Sequence, residues 1–165
     1  MTTYAGRPRG DGRITLTPPS GRDLATLADG ETWSSAGGAR ANTRAAVRGW
    51  TNAARERDDV LLFEIAEGGE PVGQIFLHDI DSSGAESLVG YHVLTSQSRG
   101  RGVGTESLAL LVEYVREETA LQRLVIITAG DNLRSRRIAE KNGFVFAGPP
   151  REDPAGLCFK LDVDR

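Results

Sequence analysis

Residues 88–128 read LVGYHVLTSQSRGRGVGTESLALLVEYVREETALQRLVIIT, and this stretch decides the fold. The segment ending at Leu94 has the composition of a strand, and the glycine-rich run Arg99-Gly100-Arg101-Gly102-Val103-Gly104 follows it. A helix is predicted from about Gly104, because Leu108, Leu111, Val112 and Val115 recur at i, i+3, i+4 and i+7. Leu124-Val125-Ile126-Ile127 is short, apolar and β-branched, the pattern of a strand buried on both faces. Strand, loop, helix and strand make a βαβ crossover, expected to be right-handed with parallel strands. A glycine loop that opens a helix presents unpaired N–H groups at the positive end of the helix dipole. Without Cβ atoms its backbone can approach an anion closely, so the loop is suited to phosphate.

Ahead of this unit, residues 1–12 carry Gly6, Pro8, Gly10 and Gly12 and little to bury. They are expected to form a flexible arm before a single domain spanning 13–165. Ile14 to Thr17 alternates as a short strand that ends at Pro18-Pro19, and Ser20 is placed to cap a helix containing Leu24, Ala25, Leu27 and Ala28. A second helix is predicted from about Thr43 to Arg57, with Ala46, Val47, Trp50 and Ala54 at helical spacing. Val60 to Ala66 and Val72 to His78 read as a hairpin around Glu67-Gly68-Gly69-Glu70, and Ser87 to Leu94 as the third strand of a meander. Beyond the βαβ unit, Asp131-Asn132 caps a last helix that stops at Asn142-Gly143. Strands at Phe144–Phe146 and Leu157–Val163 close the chain. The expected class is α/β: a mixed sheet with an antiparallel N-terminal meander, parallel strands around a βαβ unit, and flanking helices.

The 165 residues suit one domain with one core, and 39% apolar with 26% charged residues places the chain among soluble globular proteins. The net charge of -3 argues against a broad nucleic-acid-binding surface. No apolar run approaches the roughly 20 residues that cross a bilayer, and no charged-then-apolar leader opens the sequence. A cytoplasmic location is therefore expected. Cys158 stands alone, which rules out an internal disulfide, and two histidines are too few for most catalytic zinc sites, so no metal is expected. Charge is uneven. Residues 97–105 carry +2 and residues 130–141 another +2, leaving -7 on the rest of the chain. Two basic islands on an acidic protein suit a discrete polyphosphate ligand.

The ligand class can be narrowed. A nucleotide-triphosphate loop needs a lysine after its last glycine, and none lies near this loop. A dinucleotide fingerprint needs Gly-x-Gly-x-x-Gly opening the first strand unit, whereas Gly100, Gly102 and Gly104 are spaced by two and follow a meander. Arg99-Gly100-Arg101-Gly102-Val103-Gly104 instead resembles the Arg/Gln-x-x-Gly-x-Gly/Ala signature of the GNAT acyl-CoA N-acetyltransferases. The surrounding residues resemble the ribosomal-protein N-terminal acetyltransferase-like branch in particular. They are Gly90-Tyr91, Gly102-Val103-Gly104-Thr105-Glu106, Asn132-Leu133-Arg134-Ser135 and Asn142-Gly143-Phe144.

That resemblance implies acetyl-CoA as cosubstrate, CoA as product, and a primary amine acceptor, either a small molecule or a protein N-terminus. It also implies a direct ternary-complex attack, and in many relatives a homodimer. In the family, the strand before the loop and the strand after the helix diverge, and the pantetheine arm fills the gap. Carried over, Val93 and Leu94 would face pantetheine and the Leu94 amide would hold the oxyanion. Amides of Arg99, Gly100, Arg101, Gly102, Val103, Gly104 and Thr105 would hold the pyrophosphate, and Asn132 would lie beside the arm. Arg134, Arg137 and Lys141 would reach the terminal phosphate or the adenine end. The family's usual tyrosine position holds Ala139, while Ser135 matches the branch's serine as proton donor to the departing thiolate, or equally as an N3 residue in the Asn132 cap. His92 is the candidate base, against the alternative of a core histidine holding a carbonyl; Glu86, Glu152, His78 and Asp79 are weaker ones, and Glu106 suits its helix N-terminus. Trp33 and Trp50 would wall the acceptor side, or pack as core aromatics. A catalytically silent acyl-CoA-binding module remains the alternative, and a short Arg-Gly segment for RNA a third reading.

Overall fold

The computed structural model describes residues 1–28, 44–98 and 100–164. Trp33 and Arg99, both named above, lie outside the described residues. An eight-stranded mixed sheet runs through the protein in the order β1-β3-β4-β5-β6-β8-β7, with β2 also paired to β3. The strands are β1 (Thr2–Thr3), β2 (Ile14–Thr17), β3 (Leu61–Glu67), β4 (Glu70–His78), β5 (Glu86–Val93), β6 (Arg123–Ala129), β7 (Val145–Phe146) and β8 (Gly156–Asp162). The helices are α1 (Arg44–Arg55), α2 (Val103–Glu118) and α3 (Leu133–Lys141). The expected hairpin forms between β3 and β4, and its turn is made possible by Gly68 and Gly69 at φ 58° and 84°.

Cross-strand register sorts the side chains into two faces. Phe63, Ile75 and Tyr91 share one face, with Leu61, Leu77 and Val89 in the next row. That face carries the main core, closed by Val103, Leu108, Leu111 and Val115 of α2 and Ala139 of α3. The opposite face carries Leu62, Phe76 and Gly90 in one row and Glu64, Gln74 and His92 in another. Trp50 of α1 stacks there on Phe76, with ring centroids 3.8 Å apart. Gly90 is needed for this stack, because a Cβ would lie 2.3 Å from the Phe76 ring. Trp50 is thus a packing residue, as its alternative reading held.

Two expectations need correction. The helix sought after Ser20 is a single 3-10 turn, Leu24–Leu27, whose cap is Asp23 accepting from the Ala25 N–H at 3.2 Å. Ser20 instead gives its backbone N–H to the Glu64 carboxylate, at 3.0 Å. The N-terminal segment is not a loose arm. Thr2 and Tyr4 donate to the Val60 and Leu62 carbonyls at 2.9 and 2.8 Å, and the Tyr4 ring sits edge-on to Phe63, 4.6 Å away. Arg9 pairs with Glu117 and lies over the Tyr114 ring. Two side chains among the glycines, Tyr4 and Arg9, together with the backbone bonds, dock the segment, which its glycine and proline content concealed.

The βαβ unit places the site. β5 and β6 are parallel, but they pair only at Glu86–Arg123, Ser87–Leu124 and Leu88–Val125. Past Leu88 they part, while β6 stays paired with β8 through Ala129–Gly156. An open seam therefore runs between residues 89–93 and 126–129.

Candidate active site

The glycine run turns the chain from the end of β5 into the start of α2. Gly100 and Gly102 take left-handed backbone angles, φ 73° and 82°, which a Cβ would strain. Gly102 is the residue before α2, and the helix's first bond runs from the Glu106 N–H to the Gly102 carbonyl at 2.9 Å. The N–H groups of Val103, Gly104 and Thr105 therefore have no acceptor within the helix. Gly104 also lets α3 approach α2, since a Cβ there would meet Ile138 Cδ1 at 2.6 Å.

These amides open onto a cleft of about 430 Å³ between α2, α3 and the end of β5. Gly100, Gly102, Val103, Gly104 and Thr105 line one wall, Arg134, Arg137 and Lys141 the basic rim, and Tyr91, Val93 and Ser135 the inner end. The donor set fits a polyphosphate carrying an extended chain: free amides and cations at the mouth, an open strand edge inside. Those amides and cations could hold the phosphates of CoA, and the seam could admit its pantetheine arm.

A supporting network lies beneath the loop. Ser98, buried, donates to Glu67 Oε1 at 3.0 Å and accepts from the Thr95 hydroxyl at 2.8 Å. Glu67 also pairs with Arg13 at 2.5 Å and more distantly with Arg101 at 3.7 Å. Arg13 in turn donates to the Arg101 carbonyl at 2.6 Å. Arg101 thus points to Glu67 and does not line the cleft. Glu67 was not singled out from sequence, where it reads only as a hairpin residue. Glu67→Ala is expected to loosen the loop and weaken CoA binding roughly fivefold, the equivalent of about 1 kcal/mol. Titration calorimetry checks this.

At the inner end, Ser135 is almost wholly buried, and the structure shows its cap role directly. Its backbone N–H donates to Asn132 Oδ1 at 3.2 Å, so it is the N3 residue of the cap. Its Oγ accepts from the Tyr91 hydroxyl at 2.8 Å, which leaves its own proton for another acceptor. Tyr91 is buried and its phenol is pushed well above the usual range by desolvation, so it stays a donor. Asn132 serves as the buried N-cap of α3 and does not line the cleft.

Leu94 is not available as an oxyanion donor, because its N–H donates to the Val72 carbonyl at 2.9 Å. Its side chain is buried under α1 and the 3-10 turn, with Ala25, Ala28 and Val47. Main-chain groups alternate between the two edges of a strand, so those of Val93 point away from β4 and into the seam. Val93 also lines the cleft.

His92 is poorly placed for base work. It lies on the Trp50 face, 2% exposed, and Gln74 Nε2 stands 2.8 Å from its Nδ1. With that amide donating, the ring proton sits on Nε2. Desolvation lowers its pKa to about 3, too low to hold an ammonium proton. It is a core histidine, although it holds a side-chain amide and not a carbonyl. Since the unfolded chain would protonate near pH 6.5, His92 lowers stability as pH falls from about 6.5 to 3, by about 1.4 kcal/mol per pH unit. His78, also lowered by burial, acts in the same direction. Thermal melts between pH 7.5 and 5 are expected to show this slope, and His92→Gln to flatten it.

The remaining candidates lie elsewhere. Glu86 faces Arg123 at 3.8 Å at the closed end of the seam, and Glu152 is exposed in the loop before β8. His78 and Asp79 form a pair 2.6 Å apart at the far end of β4, joined by Arg57. Glu106 lies 3.4 Å from Arg13 in the first turn of α2.

The sequence pattern of the acetyltransferase (GNAT) domain matches residues 13–145. YdaF of Bacillus subtilis (strain 168) is 32% identical over 84 residues, 51% of this chain and 45% of that protein. The ribosomal-protein-serine acetyltransferase of Escherichia coli (strain K12) is 28% identical over 93 residues, 56% of this chain and 51% of its own. This chain thus matches about half the length of these relatives. Among solved structures, RimL, a ribosomal α-N-protein acetyltransferase in complex with coenzyme A, superposes with a TM-score of 0.71 at 16% identity, covering 96% of this chain and 99% of RimL. The microcin self-immunity acetyltransferase MccE, in complex with acetyl-CoA and AMP, superposes at 0.68 with 18% identity, covering 93% and 94%. These likenesses show a shared fold. With four-fifths of its length matched by the domain pattern, the chain belongs to the GNAT acetyltransferase family.

Proposed function

We propose that the protein is an acetyl-CoA-dependent N-acetyltransferase acting on a primary amine by direct attack in a ternary complex. The observation that carries this reading is the parting of β5 from β6 after three paired residues, beside a loop of unpaired amides. A closed sheet has no reason to open a buried edge unless a polar chain fills it. Val103, Gly104 and Thr105 would hold the diphosphate, and the Val93 main chain would pair with the arm and receive charge on the carbonyl oxygen. As the amine nitrogen bonds to the acetyl carbon and the carbon–sulfur bond breaks, Ser135 would give its proton to the sulfur. Tyr91, by donating to Ser135 Oγ, keeps that proton pointed outward. The proton lost from the amine passes to solvent, since His92 is too weak a base to take it, and solvent returns one proton to Ser135 so that the hydroxyl is restored.

The names of the relatives extend the acceptors worth trying to a ribosomal protein's amino terminus and to small-molecule amines. Thiol release from acetyl-CoA, measured against peptides with free N-termini, amino sugars, polyamines and amino acids, tests the reading. Turnover on at least one of these supports it. CoA binding without turnover on any would identify a silent acyl-CoA-binding module instead.

A further inference from the structure

Thr128 is 1% exposed, and its Oγ1 is one of two buried side-chain polar atoms without a hydrogen-bond partner among the described residues. A buried hydroxyl left unpaired costs stability, and such groups call for a physical reason. Its position supplies one. Thr128 lies on the open stretch of β6, past the last residue paired with β5. Alternation from Leu124 and Ile126 puts its side chain on the face covered by α2 and α3. Had the β5–β6 register continued past Leu88–Val125, Tyr91 would stand directly opposite Thr128. The two banks of the seam therefore present Tyr91 and Thr128 on the same face as Ser135. Tyr91 and Ser135 satisfy one another at 2.8 Å, and Thr128 alone is left over.

We infer that the Thr128 hydroxyl is a ligand-binding group for the amide-bearing pantetheine arm of an acyl thioester, completed only when that arm lies in the seam. The inference rests on the acetyl-CoA reading above and adds a residue to it. Among the described residues nothing else takes up the hydrogen-bonding capacity of Thr128, and a valine would fill the same space without the hydroxyl.

The test compares wild type, Thr128→Val and Thr128→Ser by calorimetry with two ligands, acetyl-CoA and adenosine 3′,5′-bisphosphate, which carries phosphates but no pantetheine. Thr128→Val is expected to weaken acetyl-CoA binding roughly five- to tenfold. Its affinity for the bisphosphate should stay unchanged and its melting temperature should not fall. Thr128→Ser should bind acetyl-CoA within about twofold of wild type, keeping the hydroxyl. Wild-type affinity for acetyl-CoA in Thr128→Val would overturn the inference, as would equal weakening for both ligands. A wild-type protein that binds the bisphosphate but gains nothing from the acyl-pantetheine portion would overturn the acetyl-CoA reading itself, and the inference with it.

Discussion

Ser135→Ala is expected to lower kcat about 100-fold while leaving the affinity for acetyl-CoA nearly unchanged, the signature of a proton donor acting late in the reaction. The substitution has a second consequence. Tyr91 is fully buried, and its hydroxyl has the Ser135 oxygen as acceptor at 2.8 Å. Removing that acceptor costs about 1–3 kcal/mol of stability. A fall in kcat could then reflect a loosened cleft. Tyr91→Phe combined with Ser135→Ala separates the two effects, because removing both partners leaves no orphan and restores most of the stability. Activity should not return with it. Tyr91→Phe alone leaves the Ser135 hydroxyl present but free to turn, so its loss in kcat should be smaller.

The largest effect on folding is expected from Gly73→Ala. Gly73 sits opposite Val93 in the β4–β5 ladder, and a Cβ built on it would lie 2.1 Å from the His92 carbonyl oxygen. A backbone oxygen cannot turn aside as a side chain can, so the two strands must separate. About 3 kcal/mol of destabilisation, on the scale of overpacked cores, corresponds to a fall of roughly 10 °C in Tm. The same shift would move Val93 at the seam, so acetyl-CoA affinity should drop in whatever fraction remains folded. Gly49→Ala makes the control: nothing lies within 4 Å of its Cβ position, and in the middle of α1 alanine favours the helix.

The βαβ unit was legible because each part carries a local signature. Leu108, Leu111, Val112 and Val115 fall on one helical face and are all buried, and Gly102 supplies the left-handed residue that precedes this helix. The α3 stop at Gly143, with φ 82° and the Phe144 N–H returning to the Ala139 carbonyl at 3.1 Å, was equally readable. Ser135 could be found through its place after Asn132. What escaped depends on which edge or face of a strand a group occupies. Leu94 looked like the next seam residue after Val93, yet a single step along the strand turns its N–H toward β4. His92 has the right residue type for a base, but one step from Tyr91 puts it on the Trp50 face, buried beside Gln74. Thr128 and Glu67 gave no local signal at all: one acquires meaning from a missing strand pair, the other from the loop folded over it. The N-terminal segment misled for a related reason. Its glycines and single proline say nothing about Tyr4 meeting Phe63 and Tyr114.

A direct measurement follows the backbone amides by heteronuclear NMR while CoA is added. The amides of Gly102, Val103, Gly104 and Thr105 should show the largest shifts in the chain and move downfield together, as a new hydrogen-bonded anion requires. CoA binding that leaves those four unmoved while amides elsewhere respond would contradict the account.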